Sequence, residues 1–171
     1  MQSYKKIAAL ISGYFFLLIS TSLYAREGGV DGGGLPDHAL MFCFDKGGIP
    51  ERHTMNGIKE SYCHVDNAYI GAWPLYFFLQ GSLPDSPKAI AYFLHPTLSG
   101  KENSDTPEAF CIRLDGKVVQ VDGNLHLPLF CEFSDRSQID VVTLFLGPDS
   151  PSVERLTKLL LAGEVRTGAS E

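Results

Sequence analysis

Four cysteines fall at two equal intervals, Cys43 to Cys63 and Cys111 to Cys131, each 20 positions apart. The flanks repeat with them. Ala39-Leu40-Met41-Phe42-Cys43 resembles Glu108-Ala109-Phe110-Cys111, and a glycine follows each first cysteine by five positions, at Gly48 and Gly116. A second glycine, Gly57 or Gly123, precedes the second cysteine, and an aromatic stands directly before it, Tyr62 or Phe130. Further on, Ile70, Trp73, Leu79 and Gly81 answer to Ile139, Val142, Leu146 and Gly147, and both halves then carry Pro-Asp-Ser-Pro, at 84–87 and 148–151. A tetrapeptide recurring in register with two cysteines points to two tandem copies of one unit. The units are read as 36–98 and 106–163, joined by the polar linker 99–105 and followed by a tail, 164–171.

Each unit has its own punctuation. Thr106 can cap a helix, Pro107 suits the first helical position, and Asp115-Gly116 ends it; in the first copy Asp37 caps and Gly47-Gly48 stops. Two β-prone runs follow around a glycine turn, 49–55 and 58–65 across Asn56-Gly57, or 117–121 and 125–133 across Asp122-Gly123, which reads as a hairpin. Ile70, Trp73 and Phe77, like Ile139, Val142 and Leu146, then fall at i, i+3 and i+7, the spacing of one helix face, although Val141-Val142-Thr143 would also suit a strand. Ser86-Pro87 and Ser150-Pro151 read as cap and start of a last helix, whose second copy puts Val153, Leu156, Leu159 and Leu160 on one face. The expected fold is α+β: two tandem small units, each a helix, a β-hairpin and one or two further helices, stapled by disulfides.

Residues 1–25 begin with Lys5-Lys6, continue through an apolar stretch from Ile7 to Ile19, and close on small polar residues ending in Ala25. That is the pattern of a cleaved signal peptide, and the apolar run is shorter than the ~20 residues that span a bilayer. A Gly-rich leader, 26–35, follows. Export makes an even number of cysteines read as a disulfide framework and sets the expected location as periplasmic or secreted. Of the formal charge of -6 over 171 residues, the first 25 contribute two lysines and no acid, which leaves -8 on the rest. That sign argues against nucleic acid or an anionic lipid surface as a partner, and no stable membrane insertion is expected after signal cleavage.

The stretch from Cys131 through Glu132-Phe133-Ser134-Asp135-Arg136-Ser137-Gln138-Ile139 to Asp140, with Thr143-Leu144-Phe145 and Gly147 after it, resembles the second half of a small Cys-containing bacterial envelope domain of unknown function that carries a haemolysin label. Ala109-Phe110-Cys111 and residues 39–48 resemble its opening, a Cys-bearing helix that runs into a glycine turn. The chain departs from that pattern at Gln138 and Tyr69, where the family often has a further cysteine, and at Val142, where only the first copy has the aromatic, Trp73. The resemblance implies an exported, disulfide-bearing module and brings no catalytic residues. A helix folded across its hairpin would let Cys43 meet Cys63 and Cys111 meet Cys131, each closing a loop worth about 3 kcal/mol. Pairing between the units is the alternative.

No residue pattern commits to a reaction. His38, His53, His64, His95 and His126 are scattered, without metal-ligand spacing, so neither a metal nor another cofactor is implied. Cys63 beside His64 could suggest a nucleophile and its base, yet strand neighbours point to opposite faces and Cys63 has a matching cysteine. Asp45, Asp115, Asp135 and Asp140 lie where Asp serves turns and caps. The run 73–79, Trp-Pro-Leu-Tyr-Phe-Phe-Leu, is the most apolar stretch beyond the leader, and a single helix cannot turn all of it inward. Trp73, Tyr76, Phe77 and Phe78 are therefore the candidate partner surface. The favoured function is a noncatalytic envelope module that binds a protein or surface component. A haemolysin-like membrane-active effector or a secreted enzyme is the alternative.

Overall fold

The Asn56-Gly57 pair nucleates the best-defined element. Both residues take the left-handed conformation, with φ of 51° and 77°, and they join β1 (Ile49–Met55) to β2 (Ile58–Val65) in a tight antiparallel hairpin. In this computed structural model residues 37–83, 85–95 and 106–167 are described, so the signal peptide, the Gly-rich leader and the linker expected from the sequence lie outside them. Before the hairpin comes α1 (His38–Asp45), capped by the Asp37 carboxylate, which accepts the Leu40 N–H at 3.2 Å and the Ser61 hydroxyl at 2.6 Å. After it come β3 (Ala68–Gly71), α2 (Ala72–Leu79) and α3 (Lys88–Leu94).

The same order recurs in the second half: α4 (Pro107–Arg113), β4 (Lys117–Val119), β5 (Phe130–Glu132), β6 (Gln138–Asp140), α5 (Val141–Leu146), a 3-10 turn (Pro151–Val153) and α6 (Glu154–Thr167). Thr106 caps α4 by accepting the Ala109 N–H at 3.2 Å, with Pro107 in the first turn. The six strands form one antiparallel sheet in the order β1-β2-β3-β6-β5-β4, so β3 and β6 join the halves at the centre, Ile70 opposite Ile139. The described residues from Asp37 onward belong to one compact unit.

That arrangement corrects the helical reading of Ile70 and Ile139. Both are fully buried strand residues, and each helix starts just after its strand, at Ala72 and Val141. A short apolar run carries both periods, and central position in the sheet decides for strand. The second hairpin is also shorter than expected. Residues 120–129 leave the ladder and fold back so that Val121 and Leu127 pack with Met55, Tyr62 and Phe130 on one face of the sheet. Asp122-Gly123 still turns the chain, with the Val121 carbonyl accepting the Asn124 N–H at 3.4 Å, but beyond the ladder; the Asp122 carboxylate accepts the N–H groups of Asn56 and Gly57, at 3.1 and 2.9 Å, and so braces the first hairpin. The segment expected as a tail begins inside α6, which runs on to Thr167.

The helices cover the opposite face. Cys63, Val65, Ile70, Cys131, Phe133 and Ile139 point toward them and pack against Leu75, Phe78, Ile90, Phe93, Phe110, Leu144, Leu156 and Leu160. Within this core Cys43 is joined to Cys63 and Cys111 to Cys131, with Cα atoms 5.5 and 5.7 Å apart. Gly48 and Gly116 lie against the sulfurs. A Cβ on Gly48 would come within 2.7 and 2.8 Å of the two Sγ atoms, and one on Gly116 would collide with both sulfurs of its own bridge. The repeated glycine thus makes room for the bridge itself.

The two Ser-Pro elements are not self-capped. The cap residue of α3 is Pro87, Ser150 precedes the 3-10 turn, and neither supplies a side-chain cap. The α3 donors are satisfied instead from the other half: Asp135 accepts the Lys88 N–H at 2.7 Å and the Ser137 hydroxyl accepts the Ala89 N–H at 2.9 Å.

Candidate functional site

The aromatic run lies on α2, which starts where Gly71 leaves the sheet and so projects from its centre. The helix divides its aromatics between two surroundings. Phe78 is buried with Leu75 and Leu79, and Tyr76 is half-buried with its ring edge-on to Phe42 at 5.3 Å. Trp73 remains 39% exposed and stacks on half-buried Phe77, their ring centroids 5.4 Å apart and their planes 30° from parallel. Of the candidate surface, Trp73 and Phe77 face outward, Tyr76 bridges to α1, and Phe78 belongs to the core.

Beside Trp73 and Phe77 opens a cleft of about 500 Å³. Its apolar wall is Trp73, Pro74, Phe77, Leu83 and Pro87. Its polar wall comes from three separate segments: Glu60 on β2, Asp85 and Ser86 ahead of α3, and Asp135, Arg136 and Ser137 in the turn between β5 and β6. Burial pushes the Glu60 carboxyl above its ordinary value; the Arg136 charge opposes that and the Glu132 charge adds to it. Burial alone would also raise Asp135, but the N–H of Lys88 and the hydroxyl and N–H of Ser137 all donate to its carboxylate, and together they hold it below the ordinary value. Asp85 makes no ion pair or side-chain hydrogen bond among the described residues.

The face of the sheet away from the helices, to which Glu60 belongs, holds a second polar group. The hairpin register sets Glu51 and His53 beside Tyr62 and Glu60, with His64 on the same face. The Glu51 carboxylate lies 2.8 Å from His53 Nε2 and 3.5 Å from His64 Nδ1, and the His64 ring stacks on Tyr69 with centroids 4.0 Å apart. Deeper in, the Tyr62 hydroxyl donates to Gln138 Oε1, and Gln138 donates to Glu132 at 2.7 Å. Burial, with the charges of Glu60 and Glu132, holds the Tyr62 phenol well above its ordinary range. No group of three or more His, Cys, Asp or Glu side chains suited to hold a metal ion occurs among the described residues.

The sequence left the five histidines scattered. The fold brings His53 and His64 together across one hairpin, while His38 opens α1, His95 ends α3 and His126 lies in the 120–129 stretch. Cys63 and His64 point to opposite faces, the first into its disulfide and the second toward Tyr69. Asp140 caps α5 by accepting the Thr143 N–H at 2.8 Å and ties in β3 through the Tyr69 N–H at 2.8 Å. Glu60 carried no local motif, and although Asp85 stands in the repeated Pro-Asp-Ser-Pro and Arg136 in the 131–140 stretch, neither motif pointed to a cleft; the Asn56-Gly57 turn fixes the side on which Glu60 emerges. No family model, curated protein or solved structure matches the chain. Among the described residues no helix is long and apolar enough to cross a membrane.

Proposed function

We propose that this chain is an exported, noncatalytic envelope module, built from two copies of one unit, that binds a protein or surface component through the cleft beside Trp73 and Phe77. The observation that carries this reading is the exposed indole, stacked on a second ring at the mouth of a cleft about 500 Å³ in volume. A ring pair left partly in water, next to enough space for several ligand atoms, is the usual form of a binding surface. On the polar wall Asp135 and Ser137 are engaged in capping α3, and the Ser137 hydroxyl donates to the Asp135 carboxylate at 2.6 Å. Two disulfides suit an oxidising compartment, in keeping with the signal-like residues 1–25. The equal cysteine spacing, the glycine over each bridge and the recurring element order support duplication of a unit like the Cys-containing envelope domain.

The test is photo-crosslinking in the native envelope from a reactive side chain at Leu83, on the cleft wall, with the 82% exposed Leu125 as the control position. A discrete adduct from Leu83 that disappears in Trp73→Ser is the expected outcome. The same adducts from Leu125, or no effect of Trp73→Ser, would remove the cleft as the binding surface. Release of dye from neutral or anionic vesicles by the disulfide-intact protein would favour the haemolysin-like alternative.

A further inference from the structure

The walls of the cleft differ in kind. One is formed by rings and aliphatic groups, Trp73, Phe77, Pro74 and Leu83; the other sets three carboxylates, Glu60, Asp85 and Asp135, against a single guanidinium, Arg136. Asp135 is committed to the start of α3 and to Ser137. That leaves Glu60 and Asp85 to meet whatever enters. Glu60 has Glu132 behind it as well as Arg136 beside it, and its carboxyl is already harder to ionise than an exposed one. The polar wall therefore has an excess of negative charge that a positive group would relieve, and the ring pair offers π faces on which a cation is held.

We propose that the cleft receives a lysine or arginine side chain from an extended segment of a partner protein. This deepens the binding reading above and rests on it. The long aliphatic stem of such a side chain matches the apolar wall of Leu83, Pro74 and Phe77, while its charged head reaches Glu60 and Asp85. A volume of about 500 Å³ accommodates the side chain together with neighbouring backbone, which argues for a peptide segment over a lone small cation. The charge of -8 outside the first 25 residues favours encounter with a basic partner.

Trp73 is the single tryptophan of the chain, so its emission reports on this cleft alone. The disulfide-intact protein is titrated with three N-acetylated, C-amidated peptides: Ala-Ala-Lys-Ala-Ala, its arginine counterpart and its Nε-acetyl-lysine counterpart. The N-acetylglucosamine trisaccharide serves as a fourth probe. Saturable shifts with the lysine and arginine peptides are expected, weakened by salt and reduced roughly fivefold in affinity by the pair Glu60→Gln and Asp85→Asn. Disulfide content and far-ultraviolet circular dichroism verify that the pair variant is folded. An equal response to the acetyl-lysine peptide, a response to the saccharide alone, or no response to any probe from the folded protein would each overturn the cation proposal. The crosslinking experiment above is independent of ligand charge, so an adduct from Leu83 together with such a result would leave the binding surface standing and discard only its proposed ligand.

Discussion

The carboxylate of Asp66 accepts the backbone N–H of Arg155 at 3.1 Å, a contact between residues 89 positions apart. Asp66 lies in the turn between β2 and β3, and Arg155 lies in the first turn of the last helix of the other half. The reciprocal contact is that of Asp135 with the Lys88 N–H. Each half thus supplies the helix cap that the other lacks. Arg155 strengthens its side by donating to Asp66 Oδ1 at 3.0 Å and to the Gly47 carbonyl at 2.9 Å. A segment of about 60 residues is marginal alone, and a shared sheet with exchanged caps joins the two halves into one core.

Asp66→Ala and Asp135→Ala are each expected to cost about 1 kcal/mol, the usual loss of a helix N-cap. Because the halves share a core, Asp135→Ala should shift the urea midpoint seen by Trp73 fluorescence, in the first half, by the same amount as the midpoint seen by circular dichroism. Two separated transitions would show that the halves unfold independently.

Gly48→Ala and Gly116→Ala place a methyl group against the disulfide sulfurs, with the His64 carbonyl 3.2 Å away in the first case and the Cys111 carbonyl 3.0 Å away in the second. Neither a bridge nor a backbone can step aside cheaply, so each variant is expected to lose about 1–3 kcal/mol. Gly57→Ala is the comparison: open space surrounds that position, and only its positive φ of 77° penalises the change. Thermal melts with thiol counts distinguish the two cases; free thiols should rise in the first pair alone.

Asp135 gives the acid limb of the stability profile a sign. Its folded value lies below the ordinary 3.8, so its contribution is complete above that pH and is lost as pH falls through the lowered value. Asp135→Asn should therefore be less stable than the parent at neutral pH, and the gap should close in strong acid. Asp140 has the opposite sign, since burial raises its carboxyl despite the hydrogen bonds it accepts, and its contribution declines as pH rises above 3.8. Denaturant midpoints measured from pH 2 to 7 on both Asn variants check the two slopes.

The parts legible in the sequence are those fixed by neighbours along the chain. Asn56-Gly57 announced a hairpin because few other pairs accept two left-handed residues, and Thr106-Pro107 announced a helix start for reasons internal to one turn. Ile70 and Ile139 were misread because a strand followed at once by a helix puts apolar residues at spacings that fit either period. Ser86 and Ser150 had the chemistry of caps, but the donors of α3 and α6 were reached first by Asp135, Ser137 and Asp66 from across the sheet. The cleft was half legible. The surplus of aromatics after Gly71 exposed its apolar wall, whereas Glu60, Asp85 and Arg136 converge only once β2, β3 and β6 are paired.

Reduction provides the last prediction, and it bears on where the protein resides. Both bridges are fully buried and each closes a 20-position interval, for which constraint of the unfolded chain gives about 3 kcal/mol. Mass spectrometry of the unreduced protein should yield linked peptides joining Cys43 to Cys63 and Cys111 to Cys131, with none joining Cys43 to Cys111. Replacing one pair, Cys111 and Cys131, by Ala should weaken the whole sheet, because Cys131 stands opposite Ile139 at its centre. The proposed export predicts that, in the cell of origin, the disulfide-linked form fractionates with the periplasm or the medium, shortened by about 25 residues. A reduced, full-length protein in the cytoplasm would contradict both the export and the oxidising compartment on which the proposed function depends.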